Sequence, residues 1–272
     1  FQGMPADGAQ PVAGLVFDSV GNLYGTASLG GINADDCIGG CGTVFELSPP
    51  AAPGGTWTET VLYFFQGGNG IINFDGSTPL GGVIFDPAGN LYGTTERGGF
   101  GPGTIFELSP PSQPGGAWSE AILHHFAGGE GGGGEGGLPQ AGVTFGPDGG
   151  TLFGTTLEDG SAGGGTVFSL QPPSRPGGHW SLAVIYAAPT TILAGVTIGN
   201  PHTFYTNGGS TEGANYIYQI SDVGGTVTVT TCYPGTGAVP AATMIIYDGA
   251  LYGTTNGGGG PKGYGTVFRV SP

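Results

Sequence analysis

Short runs of apolar and β-branched residues alternate along the chain with clusters of Gly, Pro, Asn and Asp. Runs of this length, rich in Val, Ile, Thr, Phe and Tyr, are typical of β-strands when such residues bound them. No window of ten or more residues keeps the 3.6-residue spacing of an amphipathic helix. The pattern therefore predicts an all-β protein.

One motif returns five times. Residues 14–26 read GLVFDSVGNLYGT and residues 82–94 read GVIFDPAGNLYGT. A third copy spans residues 142–155, a degenerate fourth copy spans residues 195–206, and a fifth copy ends at residues 251–254. The Asp-x-x-Gly-Asn segment suits a tight hairpin, because Gly and Asn tolerate positive φ. Each copy thus predicts two paired strands, A and B.

A second signature follows each copy after a Gly-rich loop. It occupies residues 42–47, 103–108, 165–170, 215–220 and 265–270. Further strand-like runs follow the first four of these signatures, at residues 57–65, 118–126, 180–186 and 226–233, and the first three begin with Trp. We assign the second signature to strand C and the run that follows it to strand D. With strands A and B they complete a four-stranded unit.

The size of the repeat predicts the architecture. Four-stranded units of this length are typical of propeller blades, whereas solenoid repeats are shorter and more regular. We expect a five-bladed β-propeller of four-stranded antiparallel blades, forming one domain over residues 1–272. The approximate blade ranges are 11–66, 79–127, 139–187, 192–233 and 241–272, with residues 1–10 at the seam.

The fifth copy ends at strand C. Phe1-Gln2-Gly3 aligns with the end of a D strand, Phe65-Gln66-Gly67. We expect a fifth blade that is incomplete, or closed by the N-terminus or by a neighbouring subunit through strand addition. Trimming of upstream residues is the alternative. The expected assembly edge comprises Phe1, Gln2, Gly3, Thr266, Val267, Phe268, Arg269 and Val270.

The composition of the chain excludes several classes of protein and of binding partner. The 62 Gly and 22 Pro accompany 15 Phe, 11 Tyr and 3 Trp, too many aromatic residues for a disordered chain. With 4 Lys and Arg against 19 Asp and Glu, the net charge is -15, which argues against nucleic acid and anionic lipid as partners. No apolar run is long enough for a membrane span.

The three cysteines predict one local disulfide. Cys37 and Cys41 share a short loop without the further ligands of a zinc site, so an oxidising compartment favours a bond between them. Cys232 is left over. We expect it to be buried in a strand, with an intermolecular bond as the alternative.

One aromatic position recurs in every blade. A lectin would stack sugars on such faces, and five equivalent sites would give avidity. The other interpretation, which we favour, is packing between neighbouring blades. The residues are Tyr24, Tyr92, Phe153, Tyr205 and Tyr252.

No catalytic constellation is visible. The repeated turn residues Asp18, Asp86, Asp148 and Asp248 are explained by local backbone hydrogen bonding rather than by a ring of cation ligands. His124 and His125 are adjacent on one strand and so point to opposite faces. The sequence predicts no enzyme, no metal and no cofactor.

The two signatures together, with the intervening Gly-rich loop, resemble the bacterial choice-of-anchor tandem-repeat family called GloVer over nearly the whole chain. The resemblance implies a secreted or surface protein, and a loop like Cys37–Cys41 recurs in that family. We expect a non-enzymatic extracellular structural or interaction protein that self-assembles into a filament or surface layer at the open blade. The alternative is a multivalent carbohydrate-binding propeller. The expected partners are the protein itself or surface glycans.

Overall fold

The computed structural model describes residues 1, 3, 5–34, 37–68, 75–113, 115–128, 133–175, 177–209, 215–223, 226–231, 237–238, 242–258 and 263–271. All regular secondary structure in these residues is β-strand. None of the described segments is therefore a helix that could cross a membrane. The chain divides into two compact units, residues 1–126 and 127–272. The single domain remains a prediction.

The first unit contains twelve strands. In chain order they are β1 (Gly8–Ala9), β2 (Val16–Phe17), β3 (Leu23–Ala27), β4 (Leu29–Gly30), β5 (Thr43–Ser48), β6 (Thr58–Phe64), β7 (Gly76–Ser77), β8 (Ile84–Phe85), β9 (Leu91–Thr95), β10 (Arg97–Gly98), β11 (Thr104–Ser109) and β12 (Ser119–His125).

The second unit continues with sixteen strands among its described residues. They are β13 (Glu135–Gly137), β14 (Thr144–Phe145), β15 (Leu152–Thr155), β16 (Glu158–Gly160), β17 (Thr166–Gln171), β18 (Ser181–Ala187), β19 (Thr191–Ile192), β20 (Thr197–Asn200), β21 (Thr203–Gly209), β22 (Asn215–Val223), β23 (Thr226–Thr231), β24 (Gly237–Ala238), β25 (Ile245–Tyr247), β26 (Ala250–Thr255), β27 (Gly257–Gly258) and β28 (Thr266–Val270).

Five antiparallel sheets form the blades of a five-bladed β-propeller, which confirms the predicted fold class. The first three blades are four-stranded, with orders β2-β3-β5-β6, β8-β9-β11-β12 and β14-β15-β17-β18. The fourth has five strands, because β19 and β20 both pair with β21. The fifth, β25-β26-β28, has three among the described residues.

Glycine-rich segments that precede the first, second, third and fifth blades pair with the loop after strand B of the same blade. They form two-stranded ribbons, β1-β4, β7-β10, β13-β16 and β24-β27. Gly76 in one ribbon has no room for a side chain, since an added Cβ would lie 2.2 Å from Thr95 Oγ1. Gly76 and Gly136 lie against Thr95 and Thr156 at the ends of the B strands, whereas Gly8 of the first ribbon lies against Ala27 and Thr43.

A β-bulge interrupts the pairing of strand C with strand D at the same place in each of the first three blades. The register shifts between Val44 and Phe45, and again at Ile105/Phe106 and Val167/Phe168. The Phe after each bulge is buried and lies over the Gly of the Leu-Tyr-Gly or Leu-Phe-Gly segment. A Cβ on Gly93 would lie 2.6 Å from Phe106 Cζ, so the motif requires glycine there.

Hydrogen bonds from threonine connect consecutive blades within each unit. Thr26 Oγ1 donates to the Gly81 carbonyl at 2.9 Å, and Thr155 Oγ1 donates to the Ala194 carbonyl at 2.9 Å. In the degenerate fourth repeat, Asn207 occupies the position of this threonine, and its Nδ2 donates to the Ala242 carbonyl at 3.1 Å. The threonine of the Gly-Thr segment therefore links one blade to the next by a hydrogen bond.

Candidate interaction sites

The predicted assembly edge includes β28, which pairs only with β26 among the described strands. Its counterparts β5, β11 and β17 each have a strand on both sides. The start of β28 is held as in the third blade, because Thr266 N donates to Thr255 Oγ1 at 3.0 Å, as Thr166 N does to Thr156 Oγ1. Val267 is 81% exposed, whereas its counterparts Val44, Ile105 and Val167 are fully buried.

The N-terminal part of the predicted edge lies on the first blade. The Phe1 ring packs edge-on against Phe45 at 5.0 Å, and the Phe1 amino nitrogen is 3.6 Å from both Asp7 Oδ2 and Glu59 Oε2. Gly3 N donates to the Gly8 carbonyl at 3.2 Å. Gln2 is outside the described residues. These contacts anchor Phe1 and Gly3 to the first unit, whereas β28 belongs to the second.

The recurring aromatic rings are mostly used in packing. Tyr24, Tyr92 and Tyr205 are buried, and Phe153 and Tyr252 are partly buried. The Tyr24 ring meets Phe85 of the next blade edge-on at 4.8 Å. Burial and the nearby charge of Glu46 raise the pKa of Tyr24 to about 12, so its hydroxyl stays protonated. Sugar stacking at these positions remains a prediction.

Phe153 differs from the buried tyrosines. It lines a pocket of about 210 Å³ together with Pro147, Asp148, Thr151 and Pro201. Its ring also stacks on Phe204 of the next blade at 4.8 Å. Asp148 accepts hydrogen bonds from Thr151 N and Oγ1, and the bond from the Thr151 hydroxyl lowers its pKa. An aromatic face therefore lies beside an ionised carboxylate at this position.

The repeated aspartates act within their turns. Asp18 Oδ1 accepts the backbone N–H groups of Val20 and Asn22, both at 2.9 Å, and Asp86 repeats this pattern with Ala88 and Asn90. Burial opposes ionisation of Asp18, but these hydrogen bonds outweigh it and lower its pKa. No group of three or more His, Cys, Asp and Glu side chains in the described part of the chain is arranged to hold a metal ion.

A buried carboxyl pair joins the outer strands of the first two blades. The Tyr63 hydroxyl on β6 is 2.9 Å from Glu120 Oε2 on β12 and 3.1 Å from Asp75 Oδ2. Asp75 also accepts Gln66 N at 2.8 Å and Gly76 N at 2.6 Å. The Tyr63 hydroxyl has one proton, so it can donate to Asp75 while it accepts from a protonated Glu120.

Burial and the charge of Asp75 raise the pKa of Glu120 to about 9. Burial also raises the pKa of Asp75, although its hydrogen bonds act the other way. The sequence interpretation missed this cluster. Its only signal was the recurrence of Glu two residues after Trp in Trp57 and Trp118, and nothing local linked that position to Tyr63 or Asp75.

The predicted disulfide between Cys37 and Cys41 is confirmed. Both cysteines are buried and belong to the apolar cluster that contains Tyr24 and Val44, so the disulfide ties this loop to the core of the first unit. Cys232 lies outside the described residues, so its burial in a strand stays a prediction.

Comparison with known proteins identifies the family of the repeat. The family model described as the Gloeobacter/Verrucomicrobia repeat matches residues 1–187. No curated protein matches the chain. The chain is similar to a crystal structure of a Bacteroides uniformis protein described as a candidate 6-phosphogluconolactonase, with 14% identity and a TM-score of 0.47, over 97% of this chain and 86% of that chain. A likeness this distant carries no argument about activity.

Proposed function

Starting from the fact that this chain belongs to the Gloeobacter/Verrucomicrobia repeat family, we propose that it is a non-enzymatic extracellular structural and interaction protein that binds an extended strand at β28. One observation carries the proposal. Among the described strands, β28 has a neighbour on one side only, whereas the same strand of each of the first three blades has a neighbour on both sides.

An unpaired edge presents a row of backbone donors and acceptors, and an incoming strand can satisfy them. Natural edges are commonly protected by charge or by a bulge. The one charged residue of β28 is Arg269, and its Nε donates to the Tyr252 hydroxyl at 3.1 Å. The side chain of Val267 is exposed at the same edge. These features suit strand addition.

The expected donor has the sequence type of a D strand. In the first blade, β6 supplies a seven-residue strand that pairs with β5 across the bulge. Because residues 266–268 repeat the Thr-Val-Phe of residues 43–45, the same kind of strand fits beside β28. If the donor belongs to another copy of the chain, repeated addition gives a filament or surface layer.

An extracellular location agrees with the covalent chemistry of the chain. Disulfides such as Cys37–Cys41 form and persist in oxidising compartments. The surplus of Asp and Glu over Lys and Arg gives a strongly acidic, self-repelling protein, which favours solubility before assembly.

The experiment uses a fluorescent peptide of residues 57–66, which contains β6. We expect saturable binding, and slower hydrogen exchange at the outward-facing amides of residues 266–270 by at least about tenfold, since an added strand protects them. The control is the same peptide N-methylated at alternate residues, which cannot complete the ladder. Equal binding of both peptides, or unchanged exchange in β28, would overturn strand addition.

A second candidate, carbohydrate binding, is favoured at one position by the pocket that Phe153 lines beside Asp148. Aromatic faces beside polar groups suit sugar rings. On a glycan array, a lectin of this kind retains sugars and loses them in Phe153→Ala. The matched control is Tyr92→Phe, because Tyr92 is buried. Absence of sugar-dependent retention excludes this candidate.

A further inference from the structure

The D strands at the edges of the blades are protected from outside pairing to different degrees. Each of the D strands β6, β12, β18 and β23 has a neighbour on one side only among the described strands. Proteins commonly protect such edges with charged side chains or with a bulge. Strand β6 contains Glu59 and β12 contains Glu120, and β6, β12 and β18 each pair with strand C across a bulge.

Strand β23 of the fourth blade has neither form of protection. Its sequence is TVTVTT, without a charged residue. Six consecutive residue pairs join it to β22 without a shift of register. Every side chain from Thr226 to Thr230 is exposed. Both strands belong to the second unit, so the regular, uncharged edge is defined by pairing inside that unit.

The sequence of β23 indicates which strand fits beside it. Residues 226–230 read the same in both directions about Thr228. Antiparallel pairing with a second β23, around a two-fold axis at Thr228, therefore places Thr226 opposite Thr230 and Val227 opposite Val229. Residues 226, 228 and 230 have their backbone groups on the same side of the strand, so this register keeps the hydrogen-bond ladder.

The side chains also match in this register. Thr–Thr pairs are among the cross-strand pairs that stabilise a sheet. Val227 and Val229 are 40% and 36% exposed in the single chain, and pairing removes part of their apolar surface from water. The one acidic residue of β22, Asp222, lies beside Val227, which faces Val229 of the second copy and not a second Asp222.

We propose that two copies of the chain pair antiparallel through β23, so that their fourth blades form one continuous sheet across a two-fold axis at Thr228. The occupant is a second copy because the edge is complementary to itself. An isologous contact of this kind closes at two copies. The interface is small, and interfaces below about 1,200 Å² are typical of weak complexes, so the dimer depends on protein concentration. This contact does not involve β28.

Cysteine cross-linking tests the register. In the proposed dimer, Thr228 is the residue of β23 that lies opposite its own counterpart, at the Cα separation of about 4.5–5.5 Å that a disulfide can span. Thr228→Cys, in a Cys232→Ser background that removes the third cysteine, is expected to give a covalent dimer when diamide is added as the oxidant. The matched control is Thr226→Cys in the same background. Its counterpart lies roughly 14 Å away along the strand, so we expect at least about tenfold less cross-linking.

Sedimentation velocity over a concentration series tests the association itself. The wild type forms a dimer as its concentration rises. Thr228→Lys places two like charges directly opposite each other, and we expect association at least about tenfold weaker. The matched control is Thr60→Lys, at an exposed threonine on the edge strand β6, which associates like the wild type. Unchanged melting temperatures establish that the variants fold.

Three results would each overturn the proposal: equal cross-linking at positions 226 and 228, a wild type that stays monomeric at every concentration, or a Thr228→Lys variant that associates as the wild type does. The 57–66 peptide separates this contact from strand addition. Thr228→Lys is expected to lose the dimer and to bind the peptide with unchanged affinity, because the substitution leaves β28 as it is.

Discussion

At the residue scale, one hydroxyl in the first blade lacks a partner that its counterparts have. Thr104 pairs with Thr95, Thr166 with Thr156, and Thr266 with Thr255, at oxygen separations of 2.7, 2.9 and 2.9 Å. In the first repeat, Ala27 stands opposite Thr43, whose buried Oγ1 has no hydrogen-bond partner. A buried polar atom without a partner is destabilising.

Ala27→Thr is expected to raise the free energy of unfolding by about 1 kcal/mol, because the new hydroxyl restores the pair with Thr43. The space exists, since Gly8 lies beside Ala27 as Gly76 lies beside Thr95. Chemical denaturation measures the change. Ala27→Val is the matched control, with the same shape and no hydroxyl, and a Thr variant no more stable than the Val variant would contradict the expectation.

The buried carboxyl pair predicts a dependence of stability on pH. The pKa of Glu120 in the folded protein, about 9, is above its ordinary value of 4.5, so the folded state holds the proton more tightly. Its contribution to stability is therefore complete below about pH 4.5 and declines as the pH rises through about 9. Glu120→Gln keeps a neutral hydrogen-bonding group, and we expect it to flatten the decline in melting temperature between pH 5 and 9.

Asp18→Asn provides a control of opposite sign. Because hydrogen bonds lower the pKa of Asp18 despite the opposing effect of burial, its contribution is present above the ordinary value of 3.8 and is lost in acid. This variant should be less stable than the wild type at neutral pH, lose that difference in acid, and leave the slope above about pH 5 unchanged. If Glu120→Gln retains the wild-type slope at neutral and alkaline pH, the carboxyl pair does not hold the proton.

At the scale of elements, the blade is organised by a glycine beneath an aromatic ring. Gly25, Gly93, Gly154 and Gly253 each lie under the Phe of strand C, at a distance that excludes a Cβ. The fourth blade departs from this arrangement, with Thr206 opposite Tyr218 in the same register. This exchange explains why the fourth repeat is hard to recognise in sequence although its sheet is complete.

Thr26→Val tests the hydrogen bond between blades. The change leaves the buried Gly81 carbonyl without this donor, and we expect a loss of about 1–2 kcal/mol in unfolding free energy. Thr254→Val is the matched control from an equivalent position that is exposed, with an expected change within about 0.5 kcal/mol in dilute protein. Equal losses in both variants would show that the hydroxyl bond does not hold the joint.

The strands were more predictable than the loops. Alternating apolar residues and the Asp-x-x-Gly-Asn turn predicted the A and B strands of the first two blades, because hairpin pairing is local. The two-stranded ribbons were not predicted, since segments such as Gly76–Ser77 have no strand-like composition. They pair because Gly76 fits against Thr95, a contact that only the folded chain creates.

At the scale of the whole molecule, repetition made the fold class predictable, since five copies of one four-stranded pattern leave few architectures. The same count predicted that the fifth repeat has no D strand, and β28 pairs only with β26 among the described strands. The contacts between side chains that are distant in the sequence could not be predicted. Tyr63 and Glu120 are 57 residues apart, and no local pattern linked them. Nor could the sequence show whether Tyr24 packs or faces solvent, because both roles use the same side chain.

The hydrogen bond from Thr26 to the Gly81 carbonyl has a consequence for how such proteins lengthen. Where a joint relies on this short motif, as after the first and third blades, an inserted or deleted copy brings its own joining groups. Stability then accumulates by nearest neighbours. Gene duplication can change the number of blades by whole units, without compensating substitutions elsewhere in the chain.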